Sequence, residues 1–274
     1  MLFTGHGLGL LFFGFLCRMI AFDFSGKTVF ITGGSRGIGK ACAQLFASAG
    51  ANVIITYKSA AAEAEEVVKS LQKEGRHTAL QLDVANAEQI EQVFQEAVSV
   101  YGKIDVLVNN AGVFTEHKIL QVSYDQWRQL WQQIIATNLV GVSNLCYFAA
   151  RHMKEAGGGK IVNISSRGAF RGEPDHPAYG ASKAGLNALS QSLAITLAPH
   201  NITVGVIAPG FVETDMAKEY LAGEEGRKIK QQSPLNRVAT TEEVARSVAV
   251  FASGGLEFMT GGIIDVNGAS YLRS

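Results

Sequence analysis

Lys27-Thr28-Val29-Phe30-Ile31-Thr32-Gly33-Gly34-Ser35-Arg36-Gly37-Ile38-Gly39 is an apolar run that ends in a glycine-rich turn. The run reads as a buried strand, and residues 40–49 after the turn read as a helix closed by Gly50. Ala51-Asn52-Val53-Ile54-Ile55-Thr56 is a second apolar strand, so the segment forms one strand–turn–helix–strand unit. That is the context in which a glycine turn reads as dinucleotide-binding. Pyrophosphate sits on a helix N-terminus, held by backbone N–H groups and the helix dipole, so Gly37 and Gly39 must carry no side chain there. The turn alone is weak evidence, because glycine turns are common.

The alternation continues outward. Residues 78–82, 104–108, 160–165, 203–207 and 262–266 read as further strands, and residues 60–74, 87–101, 124–153, 179–197 and 241–252 as helices. The stretch 124–153 is one long helix or two, and Thr240 or Thr241 caps the last helix with Glu243 in its first turn. Seven strands that are apolar throughout predict an α/β fold. The sheet is parallel, doubly wound and covered by helices on both faces, and it forms a single domain of the Rossmann type. Residues after the strands then share one rim of the sheet: Gly33 to Gly39, Asp83, Asn109 to Gly112, Ser166 and Pro209-Gly210.

The chain has 274 residues, 47% of them apolar, with 24 basic and 24 acidic side chains. This charge balance argues against nucleic acid or another polyanion as partner. Cys17, Cys42 and Cys146 lack metal or redox spacing and read as reduced thiols of a cytoplasmic protein, and the six histidines form no ligand pattern. Residues 1–22 stand apart as an apolar N-terminal extension to a domain over 23–274. No Lys or Arg precedes the apolar run, no small-residue cleavage site follows it, and glycines interrupt it below the roughly 20 residues a spanning helix needs. The reading is an extension packed on the body or on a neighbouring subunit, or an early start codon. A membrane-surface anchor is the competing reading.

Pro177-Ala178-Tyr179-Gly180-Ala181-Ser182-Lys183 opens the helix over 179–197. Tyr179 and Lys183 are four residues apart and share a helix face. A cation beside a phenol favours phenolate, which tunes the tyrosine for proton transfer near neutral pH. Ser166 lies thirteen residues upstream, after a strand, where its hydroxyl could polarise a carbonyl in the same pocket. By itself a Tyr-x-x-x-Lys would be an ordinary surface pair.

Together, Thr32 to Gly39, Asp83-Val84, Asn109 to Gly112, Asn138, Ser166, Tyr179 to Lys183 and Pro209 to Thr214 resemble the short-chain dehydrogenase/reductase family, over residues 22–270 or so. The resemblance implies a nicotinamide-dependent oxidoreductase. It implies Tyr179 as proton donor or acceptor, with Lys183 lowering its pKa and holding the nicotinamide ribose. Ser166 would bond the substrate oxygen, and Asn138 would support a water in a proton relay. On the cofactor side it implies Gly33, Ser35, Arg36, Gly37, Ile38 and Gly39 at the pyrophosphate and Asp83 and Val84 at the adenine. Asn110, Ala111 and Gly112 would lie along the cofactor, with Pro209, Gly210, Val212 and Thr214 at the carboxamide end.

The end of the second strand carries Tyr57 and Lys58 with no acid, and Arg36 sits in the glycine turn. Two cations and no repelling carboxylate favour NADP(H), with NAD(H) possible. No metal is expected. Pocket walls are expected from Gly112 to His117, Arg167 to His176 and Met216 to Pro234, the last as a helical lid with its charges outward. The pattern is most similar to 3-oxoacyl-acyl-carrier-protein reductases, which implies a ketone or 3-oxoacyl-thioester substrate and a homotetramer. The basic positions that dock the acidic carrier in that group fall here at Gly157 and His200. A reductase of a free sugar, steroid or cyclic ketone is the alternative, and a non-catalytic cofactor-sensing scaffold a third.

Overall fold

The structure, a computed structural model, describes residues 22–71, 74–218 and 220–273. Expectations for the apolar extension before Phe22 lie outside them. Phe22 itself packs against Phe24 and the core.

Strands β1 (Thr28–Ile31), β2 (Asn52–Tyr57), β3 (His77–Gln81), β4 (Val106–Asn109), β5 (Gly159–Ile164), β6 (Ile202–Pro209) and β7 (Ile263–Val266) form one seven-stranded sheet in the order β3-β2-β1-β4-β5-β6-β7. Every adjacent pair is parallel. The helices are α1 (Gly37–Ser48), α2 (Ala61–Ser70), α3 (Ala87–Tyr101), α4 (Tyr124–Ile135), α5 (Gly141–Glu155), α6 (Gly168–Arg171), α7 (Pro177–Leu197), α8 (Gly223–Gln231) and α9 (Thr241–Ala252). Helix α2 ends short of the expected Glu74, because Leu71 turns to extended backbone and buries its side chain.

Strand side chains alternate between two buried faces. Val29, Ile31, Val53 and Ile55 join Phe46, Val244, Val248 and Phe251 under α1 and α9. Phe30, Ile54, Leu107 and Ile161 join Phe94, Leu145, Met153 and Leu186 under α3, α5 and α7. Strands apolar at every position are what such a two-sided core requires. Thr240 caps α9 in a capping box whose Glu243 also takes a two-pronged ion pair from Arg237.

Residues 124–155 run as a continuous helix, broken in register by a π turn at Ala136–Val140 that contains Asn138. By length and hydropathy alone this helix could cross a membrane. Here Ile134, Val142, Leu145, Cys146, Ala149 and Met153 are buried within the protein. The chain reverses its winding between β1 and β4, and ligands of open parallel sheets bind at the carboxyl ends of strands beside such a switch point. Cys42 and Cys146 are buried free thiols, and burial pushes each up to about 12. Among the described residues no His/Cys/Asp/Glu cluster could hold a metal.

Candidate active site

A cavity of about 470 Å³ opens over the carboxyl ends of β1, β2, β4, β5 and β6. Its wall includes Gly33, Ser35, Arg36, Gly37, Ile38, Tyr57, Lys58, Asp83, Val84, Asn110, Ala111 and Gly112 on one side. Ser166, Tyr179, Lys183, Pro209, Gly210, Val212 and Thr214 complete it. Residues spread over the whole chain thus converge on one space.

The glycine turn makes the cradle. Gly33 has a φ of +65°, a region that side-chain-bearing residues rarely adopt. A Cβ on Gly39 would lie 2.2 Å from the Gly33 carbonyl oxygen. Helix α1 then begins without a side-chain cap at Arg36, which leaves its first N–H groups directed at the cavity end. Asn110 locks the turn to β4: its amide donates to the carbonyls of Thr32 and Gly33, both at 2.9 Å. These residues fit a nicotinamide dinucleotide, whose pyrophosphate needs a bare backbone and an uncapped helix start.

At the far end of β2, Lys58 pairs with Asp83 at 2.6 Å. Partial burial works against charge on Asp83, but the hydrogen bonds from Lys58 and from the Ala85 N–H hold its carboxyl below the usual range. The fold thus gives the Lys58 ammonium a partner across the strand ends. Among the described residues Arg36 forms no ion pair.

Helix α7 presents Tyr179 and Lys183 to the cavity on one face, and Lys183 Nζ lies 5.7 Å from the centre of the Tyr179 ring. Lys183 is buried and donates to the Ile164 carbonyl at 2.7 Å, and burial pushes it down to about 8. Burial likewise pushes the Tyr179 phenol up to about 12; the Ser166 hydroxyl pulls it back and the Glu173 charge raises it. The lysine cation expected to lower the phenol is not among the causes of that shift. Desolvation is the largest cause for both groups and disfavours charge on each. Ser166 Oγ also accepts from the Gly168 N–H at 3.0 Å, which fixes its rotamer toward the start of α6.

Asn138 is fully buried. Its Oδ1 accepts from the Val113 N–H at 2.8 Å, and its Nδ2 donates to the Val113 carbonyl at 3.0 Å and to Ser182 Oγ at 3.2 Å. The amide thus clamps the loop after β4 to α7. The π turn that carries it is a common device at functional sites.

The remaining wall is aromatic. Phe114 stacks on His176 at 3.7 Å and meets Tyr179 edge-on at 4.7 Å, and Tyr220 closes the corner at 5.7 Å. Tyr220 comes from the segment expected as a lid, whose helix α8 turns Lys228 outward onto Glu224 and Glu225. Glu173 also lines the cavity, and burial pushes its carboxyl up although Arg171 and Arg167 oppose the shift. Phe114, Glu173 and Tyr220 fall in segments expected to form pocket walls, but nothing in their spacing singled them out.

A protein-family profile described as Enoyl-(Acyl carrier protein) reductase matches residues 33–269. The chain belongs to the short-chain dehydrogenase/reductase family. It is 37% identical over 247 residues to the 3-oxoacyl-[acyl-carrier-protein] reductase FabG of Staphylococcus aureus, covering 90% of this chain and 98% of that protein. Its counterpart in Aquifex aeolicus is 38% identical over 249 residues, with the same shares. Among solved structures, a dehydrogenase/reductase from Sinorhizobium meliloti superposes with a TM-score of 0.84 at 33% identity, covering 92% of this chain and 98% of that one. A short-chain dehydrogenase from Burkholderia cenocepacia, in complex with NADP, superposes with a TM-score of 0.82 at 31% identity over 90% and 98%. This short-chain dehydrogenase/reductase therefore shares its fold, over about nine-tenths of its length, with solved dehydrogenases.

Proposed function

We propose that this enzyme reduces a ketone with NADPH, and that the ketone is a 3-oxoacyl thioester or a close relative. One observation carries the reading. Tyr179, Lys183 and Ser166 meet in a cavity that runs on to the uncapped start of α1. The relatives named as 3-oxoacyl-[acyl-carrier-protein] reductases and the NADP complex of a structural neighbour support it.

When bound, the nicotinamide supplies the hydride that adds to the carbonyl carbon. Ser166 and Tyr179 act as donors to the carbonyl oxygen as it gains charge. Removing one such donor costs roughly 2.7–4 kcal/mol of barrier in comparable sites. Tyr179 then gives its phenolic proton to the oxygen. A phenol held up to about 12 stays protonated at neutral pH, as a donor must, and an alkoxide is the stronger base, so transfer runs downhill. Lys183, still largely protonated near pH 7, faces the phenolate left behind and holds the ribose. The Asn138 turn supports the proton's return path. Gly33 to Gly39 would hold the pyrophosphate of the dinucleotide and Arg36 its 2′-phosphate. Asp83 and Val84 would meet the adenine, Asn110 to Gly112 would line the cofactor, and Pro209 to Thr214 would hold the carboxamide.

Gly157 and His200 stand where 3-oxoacyl-acyl-carrier-protein reductases have basic residues for the carrier, so a thioester not delivered by a carrier fits as well. Cytoplasmic location and a tetramer built through the long helices at Asn138 and Tyr179 and through the C-terminal segment belong to the same reading. The test is NADPH oxidation with purified protein over a panel of 3-oxoacyl thioesters on carrier and on a small thiol, enoyl thioesters and free cyclic ketones. Turnover confined to enoyl thioesters, or none on any member, overturns the proposal.

A further inference from the structure

Helix α7 must hold Tyr179 in its first turn, where helices fray. The residue in the N-cap position, His176, makes no side-chain cap, and Pro177 has no N–H to satisfy. The N–H groups of Tyr179 and Gly180 return to the His176 carbonyl, at 3.0 and 3.2 Å. That leaves the N–H of Ala178, a fully buried residue, to find an acceptor elsewhere.

The acceptor comes from another segment. His117, in the loop after β4, is completely buried, and its Nε2 accepts from the Ala178 N–H at 3.1 Å. Its Nδ1 lies 2.8 Å from the Thr115 carbonyl, and its own N–H donates to the Asp175 carbonyl at 2.8 Å. A carbonyl can only accept and an amide N–H only donate. The partners therefore assign the neutral ring with its proton on Nδ1. Trp127 packs on the imidazole with ring centres 5.5 Å apart.

We infer that His117 is a positioning residue for catalysis: it caps α7 from outside the helix and fixes where the Tyr179 phenol stands relative to the loop of Gly112 to Phe114. That loop is pinned at its other end by the Asn138 amide on Val113, and Phe114 lies edge-on to the phenol. The imidazole therefore closes a frame around the reacting atoms without touching them. Freeing the first turn displaces the phenol while leaving the glycine turn intact. A misplacement of about 1 Å costs about a hundredfold in rate.

The inference rests on Tyr179 as the proton donor, so Tyr179→Phe is assayed alongside. In His117→Leu, which fills the space but accepts nothing, kcat falls about tenfold or more while NADPH affinity holds within about twofold. In His117→Gln, whose Oε1 reaches the place of Nε2, kcat returns to within about threefold of the native enzyme. Equal slowness of the Leu and Gln variants, with both folded and binding NADPH, overturns the inference, and so does native kcat in the Leu variant. Should the Leu variant not fold, ring ¹⁵N shifts of the native protein decide: a bare Nε2 supports the cap, and an Nε2–H ring refutes it. Native turnover in Tyr179→Phe would sink the donor assignment separately, and the Ala178 amide signal would still report the cap.

Discussion

Replacing Lys183 by methionine keeps the unbranched stem and deletes the ammonium. In the folded protein burial pushes that ammonium from an ordinary value of 10.5 down to about 8. A displacement of that size corresponds to about 3 kcal/mol of unfavourable burial of the charged form. The group is almost wholly enclosed, so solvent screening takes little from that figure. The sign follows from proton linkage. Below pH 8 both folded and unfolded chains hold the proton, and the folded state bears the full penalty. Between pH 8 and 10.5 the unfolded chain binds more protons than the folded one, so native stability rises with pH across that window. Loss of the hydrogen bond to Ile164 adds a constant offset of about 0.5–1.5 kcal/mol against Lys183→Met at every pH, because the neutral amine still donates to that carbonyl. The stability difference between native protein and variant should thus shift by about 2–3 kcal/mol in favour of the native protein from pH 7.5 to 10. Paired urea unfolding curves at several pH values and one protomer concentration measure it. A difference that stays flat across that range would refute the account of Lys183 as a desolvated amine. Turnover of the variant should be lost at every pH.

Tyr179→Phe should lower kcat by about a hundredfold or more with NADPH affinity nearly unchanged, as read by steady-state rates and cofactor titration. Arg36→Ala should raise the KM for NADPH about tenfold to a hundredfold and leave NADH alone, because it removes a charge-assisted contact that only the 2′-phosphate can use. Asn163→Leu should cost about 2–4 kcal/mol in urea unfolding. Asn163 accepts from Asn109 at 2.8 Å and donates to Ser190 at 2.8 Å, all three are buried, and the change leaves the Asn109 amide nitrogen only the Cys146 sulfur at 3.4 Å. Adding Asn109→Leu should recover part of that loss, since the Asn109 Oδ1 already lacks a partner.

Local chemistry made much of this protein readable from its residues. Apolar runs of strand length, each followed by a turn, require a parallel sheet with two covered faces, and the glycine turn before a helix requires a bare cradle. Spacing alone put Tyr179 and Lys183 on one face of α7, because a helix repeats that way whatever surrounds it. Chain order could not state the order of strands in space, and so could not place the switch point between β1 and β4. Nor could it see Lys58 meet Asp83, Glu173 lie near Tyr179, or His117 reach across to cap α7, since each joins segments distant along the chain. The direction of the Tyr179 shift belonged to the tertiary structure too. Whether a phenol or an amine in this site is charged depends on how much water is shut out, and only packing sets that.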